Sequence, residues 1–213
     1  MNLKWFLRNV VYLLVTASFS FANAGSYEDF FQAIQRNDGR AVQGLLQRGM
    51  DPNTRDEKGQ VGLYLALRGN AFDAADALLR HPETDVNASN TAGETPLMMA
   101  ALRGRADWES RLLDRGATLH REGWSPVLYA ASGPEPKALA LLLDKGAPVD
   151  ARAPNGTTPL MMAARYGSEA SVQLLLARGA DPKLRNDQSL TAADFARLAG
   201  REALAQRLQA LLR

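Results

Sequence analysis

The chain has no cysteine and only two histidines, His81 and His120, in 213 residues. Without thiols it can form no disulfide, no thiolate metal site and no cysteine nucleophile. Two histidines far apart in sequence do not supply a histidine-rich metal site. Charge of one sign is also missing. Lysine and arginine total 25 against 23 acidic residues, and two of the basic residues, Lys4 and Arg8, lie in the first 24 positions. The remainder holds 23 of each sign, so the sequence gives no electrostatic case for a nucleic-acid partner. What is present is a 46% hydrophobic content, enough for a packed core and against disorder.

The first 24 residues differ from the rest. Lys4 and Arg8 precede a mostly apolar run, Val10–Phe21, which closes on Ala22-Asn23-Ala24. A basic head, an apolar middle and small residues at an A-x-A site form the layout of a secretory signal. The apolar run falls short of the ~20 residues that span a bilayer. The expectation is a signal peptide over 1–24, cleavage after Ala24 and a periplasmic protein with no remaining membrane segment.

From residue 25 onward the chain repeats itself. TPLMMAA occurs at Thr95–Ala101 and again at Thr158–Ala164. Taking the threonine as a mark, equivalent positions fall at 28, 61, 95, 125, 158 and 191, with spacings of 33, 34, 30, 33 and 33. Gly49, Gly116, Gly146 and Gly179 each follow their mark by 21 residues. Ala33, Ala66, Ala100, Ala130, Ala163 and Ala196 follow by five. Thr or Ser before Pro starts a helix, because the hydroxyl accepts an orphan N–H and proline suits the first helical turn. In the 158 unit a short helix, LMMAARY, is broken by Gly167; EASVQLLLAR forms a second, and Gly179 caps its end. Each unit therefore reads as helix, turn, helix and extended finger.

A period near 33 with T-P-L-x-x-A-A and G-A-D resembles the ankyrin repeat. GADPKLRNDQSLTAADFARLAG and GAPVDARAPNGTTPLMMAARYG follow it almost throughout, and the resemblance extends from Ser26 to Arg213. It implies an all-α ankyrin-repeat solenoid of stacked helix-turn-helix units with β-hairpin-like fingers. The units run 26–59 (N-terminal cap), 60–92, 93–122, 123–155, 156–188 and 189–213 (C-terminal cap), together one repeat domain over 25–213. The departures are specific. Met98, Leu128 and Met161 stand where the family usually has histidine, so that histidine's bonds to the next finger are expected to be missing. One extra residue lies near His81-Pro82-Glu83, and the finger between the third and fourth units is three residues short.

No H-E-x-x-H, G-x-S-x-G or phosphate-binding glycine loop is present. Asp51, Asp85, Asp150 and Asp181 hold positions that the repeat explains. The reading is a non-enzyme with no cofactor and no metal, a monomer whose partner is another exported protein. The resemblance implies recognition through fingers and first helices, on a concave face. Trp124 stands before Ser125-Pro126, where other units have Glu94 and Thr157, and tryptophan is prominent in binding hot spots. The first-helix row Gln35, Arg68, Leu102, Ser132 and Arg165 is expected on that face, with Arg36, Arg103 and Tyr166 beside it. Its four arginines suit an acidic partner. Trp108 is expected to pack on a second helix, and the methionine pairs to fill the core. Asn87-Ala88-Ser89 and Asn155-Gly156-Thr157 match the glycan-acceptor pattern but are ordinary finger residues. Rival readings are a small-ligand carrier, a carboxylate hydrolase, or a structural repeat without a partner.

Overall fold

The protein is described over residues 25–213 by a computed structural model. The segment read as a secretory signal lies outside the described residues. Among the described residues twelve helices follow one another: α1 (25–35), α2 (Gly39–Gln47), α3 (Gly62–Arg68), α4 (Phe72–Arg80), α5 (Pro96–Leu102), α6 (Ala106–Asp114), α7 (Pro126–Ser132), α8 (Pro136–Asp144), α9 (Pro159–Arg165), α10 (Glu169–Ala177), α11 (Ala192–Leu198) and α12 (Glu202–Ala210). From α3 on, every first helix has seven residues and every second helix nine.

Local chemistry sets these boundaries. Thr95, Thr158 and Thr191 accept the N–H of Met98, Met161 and Asp194, each at 3.4 Å. The third residue bonds back to the threonine N–H. In α11 the Asp194 carboxylate does so at 2.8 Å, and in α5 and α9 a methionine sulfur sits 3.4 Å away. Met98 and Met161 thus occupy the histidine position with a weaker reciprocal cap, and both are buried. Ser125 differs, making no side-chain cap.

Four of the six second helices, α2, α6, α8 and α10, end on glycine in the left-handed region, with φ of 93° at Gly49, 84° at Gly116, 96° at Gly146 and 86° at Gly179. A Cβ at Gly179 would meet no atom within 4 Å, so only backbone strain opposes a side chain there. Gly179→Ala is therefore expected to cost about 1–2 kcal/mol, read as a lower urea midpoint with unchanged slope; a midpoint equal to wild type would refute the cap.

The described chain divides into two compact units. One holds the residues up to Glu57 and Val61–Thr84, the other Lys58–Gln60 and Asp85–Arg213. In the first unit α4 packs on α2 and α3. Phe30, Ile34, Leu63, Leu67 and Leu78 are fully buried there. Asn37 turns the chain with φ 56° and its side-chain oxygen accepts the Asp73 N–H at 2.7 Å, capping α4.

In the second unit the first helices lie side by side, α5 on α7, α7 on α9 and α9 on α11, while α8 packs between α6 and α10. Fingers close as tight turns without strands. Asn90 donates to the Glu94 carbonyl at 3.0 Å, Ala153 to Thr157 at 2.9 Å and Asn186 to Leu190 at 3.0 Å. Side chains join one finger to the next. Asn87 donates to the Gly116 carbonyl at 3.0 Å and accepts from Thr118 at 2.7 Å, and Asp150 accepts the Asp181 N–H at 3.2 Å. The Asn87 amide is thereby committed to the finger ladder, which accounts for the asparagine without a glycan. Asp150 thus plays the part in its finger that Asn87 plays in its own: it holds the following finger in register.

Candidate functional site

The residues singled out in the sequence fall in both units, Arg36 and Arg68 in the first and the other five in the second. Arg68 lies with its guanidinium carbon 5.6 Å from the Tyr64 ring centre. Arg36 comes directly after Gln35, beside the first-helix row. It follows α1, where Asn37 already turns the chain, and lines a hollow of about 790 Å³ with Arg40 and Gln43 of α2 and Asp76 and Arg80 of α4.

In the second unit the finger before α7 presents Trp124, which stays 38% exposed. Its ring meets Tyr129 of α7 edge-on, 6.3 Å between centres. The Tyr129 hydroxyl donates to the Glu94 carboxylate at 2.9 Å, and Asn90 donates to the other Glu94 oxygen at 2.8 Å. This chain of contacts fixes Tyr129, and Tyr129 in turn braces one edge of the indole. An exposed aromatic held in one orientation loses little entropy when a partner covers it.

A second cluster lies at the end of α9. Tyr166 is 58% exposed, and Leu198, at the same place in α11 as Arg165 in α9, is 60% exposed. The Arg165 guanidinium carbon lies 5.1 Å from the Tyr166 ring centre and 6.0 Å from that of Phe195. Leu102 is half-buried at the matching place in α5, and Arg103 next to it is exposed. Tyr129, Glu94 and Leu198 were not singled out in the sequence. Leu198 was within reach, since the seventh-residue row that runs through Arg165 lands on it one unit further. Glu94 and Tyr129 show no sequence signal for their pairing, which joins residues 35 apart.

Trp108 is buried, with the Arg111 guanidinium 4.1 Å from its ring centre. Its neighbour Glu109 is wholly buried, and neither carboxyl oxygen has a hydrogen-bond partner. Burial, helped by the charge of Asp107, pushes its pKa up to about 8. The shortened third finger borders a cleft of about 300 Å³ between Leu119, Val127, Pro148 and Ala151, where the buried Ser125 hydroxyl also lacks a partner. His120 is exposed beside it, and His81 accepts the Glu83 N–H at 3.4 Å. Among the described residues no three His, Asp or Glu side chains gather as metal ligands. No helix among them is long and apolar enough to cross a membrane.

Comparison with known proteins places this arrangement. The family model described as ankyrin repeats (3 copies) matches residues 30–121 and 110–186. The rat protein "Ankyrin repeat and SAM domain-containing protein 6" is 38% identical over 111 residues, 50% of this chain and 12% of that protein. A "Putative ankyrin repeat protein" of Rickettsia felis is 28% identical over 130 residues, 58% of this chain and 42% of the relative. The chain thus spans a minor part of these relatives' length. Among solved structures, a chain is similar with a TM-score of 0.71 and 30% identity, covering 85% of this chain and 97% of its own. That structure is the Bd0816 predatory endopeptidase from Bdellovibrio bacteriovorus in complex with immunity protein Bd3460.

Proposed function

This chain belongs to the ankyrin-repeat family, a family of protein-interaction modules, and from that premise we propose that it is exported to the periplasm and there binds and restrains another exported protein. The observation that carries the binding surface is Trp124, exposed at a finger yet braced by Tyr129 and Glu94. An indole in that position contributes nothing to a core and is available to a partner. Leu102, Arg103, Arg165 and Tyr166 extend the surface over first helices of the same unit. Export rests on the basic, apolar and Ala-Asn-Ala layout of residues 1–24. Restraint of an exported enzyme is supported by the likeness to a chain from an endopeptidase–immunity protein complex.

Affinity capture tests this reading. The full chain, produced with its own N-terminus and recovered by osmotic shock, serves as bait for periplasmic extract beside a Trp124→Ala variant. A specific protein retained by wild type and reduced about thirty-fold by the substitution is expected, the effect of losing roughly 2 kcal/mol at a hot spot. Retention unchanged by Trp124→Ala would move the site elsewhere. Recovery of the chain only in the cytoplasmic fraction would refute export.

A further inference from the structure

Arg165 is charged and half-buried, yet makes no hydrogen bond or ion pair with any described residue. Its contacts are with rings. Tyr166 and Phe195 both lie within cation–π reach of the guanidinium, a contact that restrains the guanidinium while leaving its edge N–H groups open. The nearby carboxylate of α11 is already committed. Asp194 accepts from the Thr191 N–H at 2.8 Å, the Thr191 hydroxyl at 2.7 Å and Arg197 at 2.9 Å. So the protein holds a planar, five-donor cation in place and supplies no anion for it. Apolar surface flanks it, through the exposed Tyr166 and Leu198.

We propose that Arg165 is the receptor for an aspartate or glutamate side chain of the partner protein, with Tyr166 and Leu198 seating apolar groups beside that carboxylate. This rests on the protein-binding reading above and names the chemistry of its partner. A guanidinium edge matches a carboxylate with two parallel hydrogen bonds. A side chain fits better than a chain terminus. Terminal carboxylates are taken up by nests of backbone N–H groups, whereas α9 ends here in carbonyls, which Arg201 engages from α12's N-terminus at 2.9–3.1 Å.

The test uses the full chain and two immobilised libraries of short random peptides with amidated C-termini, one with a fixed central glutamate and one with glutamine. A third library lacks acidic residues but has free C-termini. Wild type is expected to enrich glutamate peptides with apolar neighbours. Binding of an enriched peptide should fall about ten-fold or more on Glu→Gln in the peptide, and equally on Arg165→Gln in the protein. The two changes together should cost no more than either alone. Arg165→Lys should recover only part of the loss, since the ammonium lacks the fork, and Lys137→Gln, at an exposed cation of the second helix α8, should leave binding within about three-fold of wild type. A urea midpoint equal to wild type for Arg165→Gln shows that the fold is kept. Enrichment of free C-termini, indifference to Arg165→Gln, or no enrichment at all overturns the proposal. Should Arg165→Gln leave the captured partner bound while Trp124→Ala releases it, the protein-binding reading stands and this assignment alone fails.

Discussion

Replacing Glu109 by valine is expected to stabilise the protein, by more at pH 9 than at pH 5. Counting fourteen residues from each mark gives Val42, Ala75, Glu109, Leu139, Val172 and Ala205. All six are buried, and five are apolar. Valine at 109 repeats what Val172 already does in α10. The carboxyl brings desolvation without a partner to offset it, the costliest arrangement for a polar group in a core. The protein avoids the greater cost of a buried charge by keeping the proton, which is why burial raises the pKa to about 8.

The sign of the pH dependence follows. In the unfolded chain Glu109 ionises at the ordinary glutamate value, and in the folded chain only near pH 8. Folding therefore takes up a proton between those values. The contribution of the protonated group is full below the unfolded pKa, declines as pH rises, and is lost once pH passes about 8. At roughly 1.4 kcal/mol per pKa unit, the decline is on the order of 4–5 kcal/mol. Urea unfolding of wild type and Glu109→Gln across pH 5 to 9 isolates this group, because Asp107 and the other carboxylates cancel in the difference. A difference that grows with pH is expected, and parallel curves would show that Glu109 is ionised in the folded state or reaches water. Glu109→Val should follow the glutamine variant in slope and exceed it in stability throughout.

Gly167→Ala is expected to be among the most damaging small substitutions, lowering stability by about 3 kcal/mol or more. A Cβ at Gly167 would fall on the Ala131 carbonyl oxygen and 2.9 Å from the Ala163 Cα. Both are backbone, so no rotamer change relieves the clash. Gly133 repeats the arrangement, with a Cβ 2.9 Å from the Leu102 carbonyl oxygen. The turn after each of these first helices thus rests on the end of the helix before it. At Gly167 the damage spreads, because its carbonyl also accepts from Arg201 at 2.9 Å. The contrast with Gly179→Ala is diagnostic: one glycine is needed for close approach and the other for its left-handed turn. Equal midpoints for the two variants would sink the distinction. Loss of peptide binding in Gly167→Ala is expected as well, since Arg165 and Tyr166 immediately precede it.

The all-α repeat was legible in the sequence because its boundaries are set by short-range chemistry. A threonine caps a helix through an N–H three residues on, and a glycine ends one through its own φ. Such events recur wherever the same few residues recur, so periodicity placed the starts of α3, α5, α7, α9 and α11 and the Gly49, Gly116, Gly146 and Gly179 caps, while the first mark, Glu28, falls inside α1. The burial of Trp108, Met98, Met99 and Met161 followed from their place in that period, while Met162 stays half-buried. Glu109 was visible as an acidic residue out of pattern, yet whether it reaches water depends on how α6 is set against its neighbours. The Trp124–Tyr129–Glu94 chain and the stacking of Arg165 on Phe195 join residues of different units, 30 or more positions apart for Glu94 with Tyr129 and for Arg165 with Phe195. The sequence by itself determined which helices form and which residues can cap or fill them. That Arg165 meets no anion among the described residues and that Glu109 is sealed in the core were settled by the tertiary structure, because both depend on the distance between helices, which no local pattern encodes.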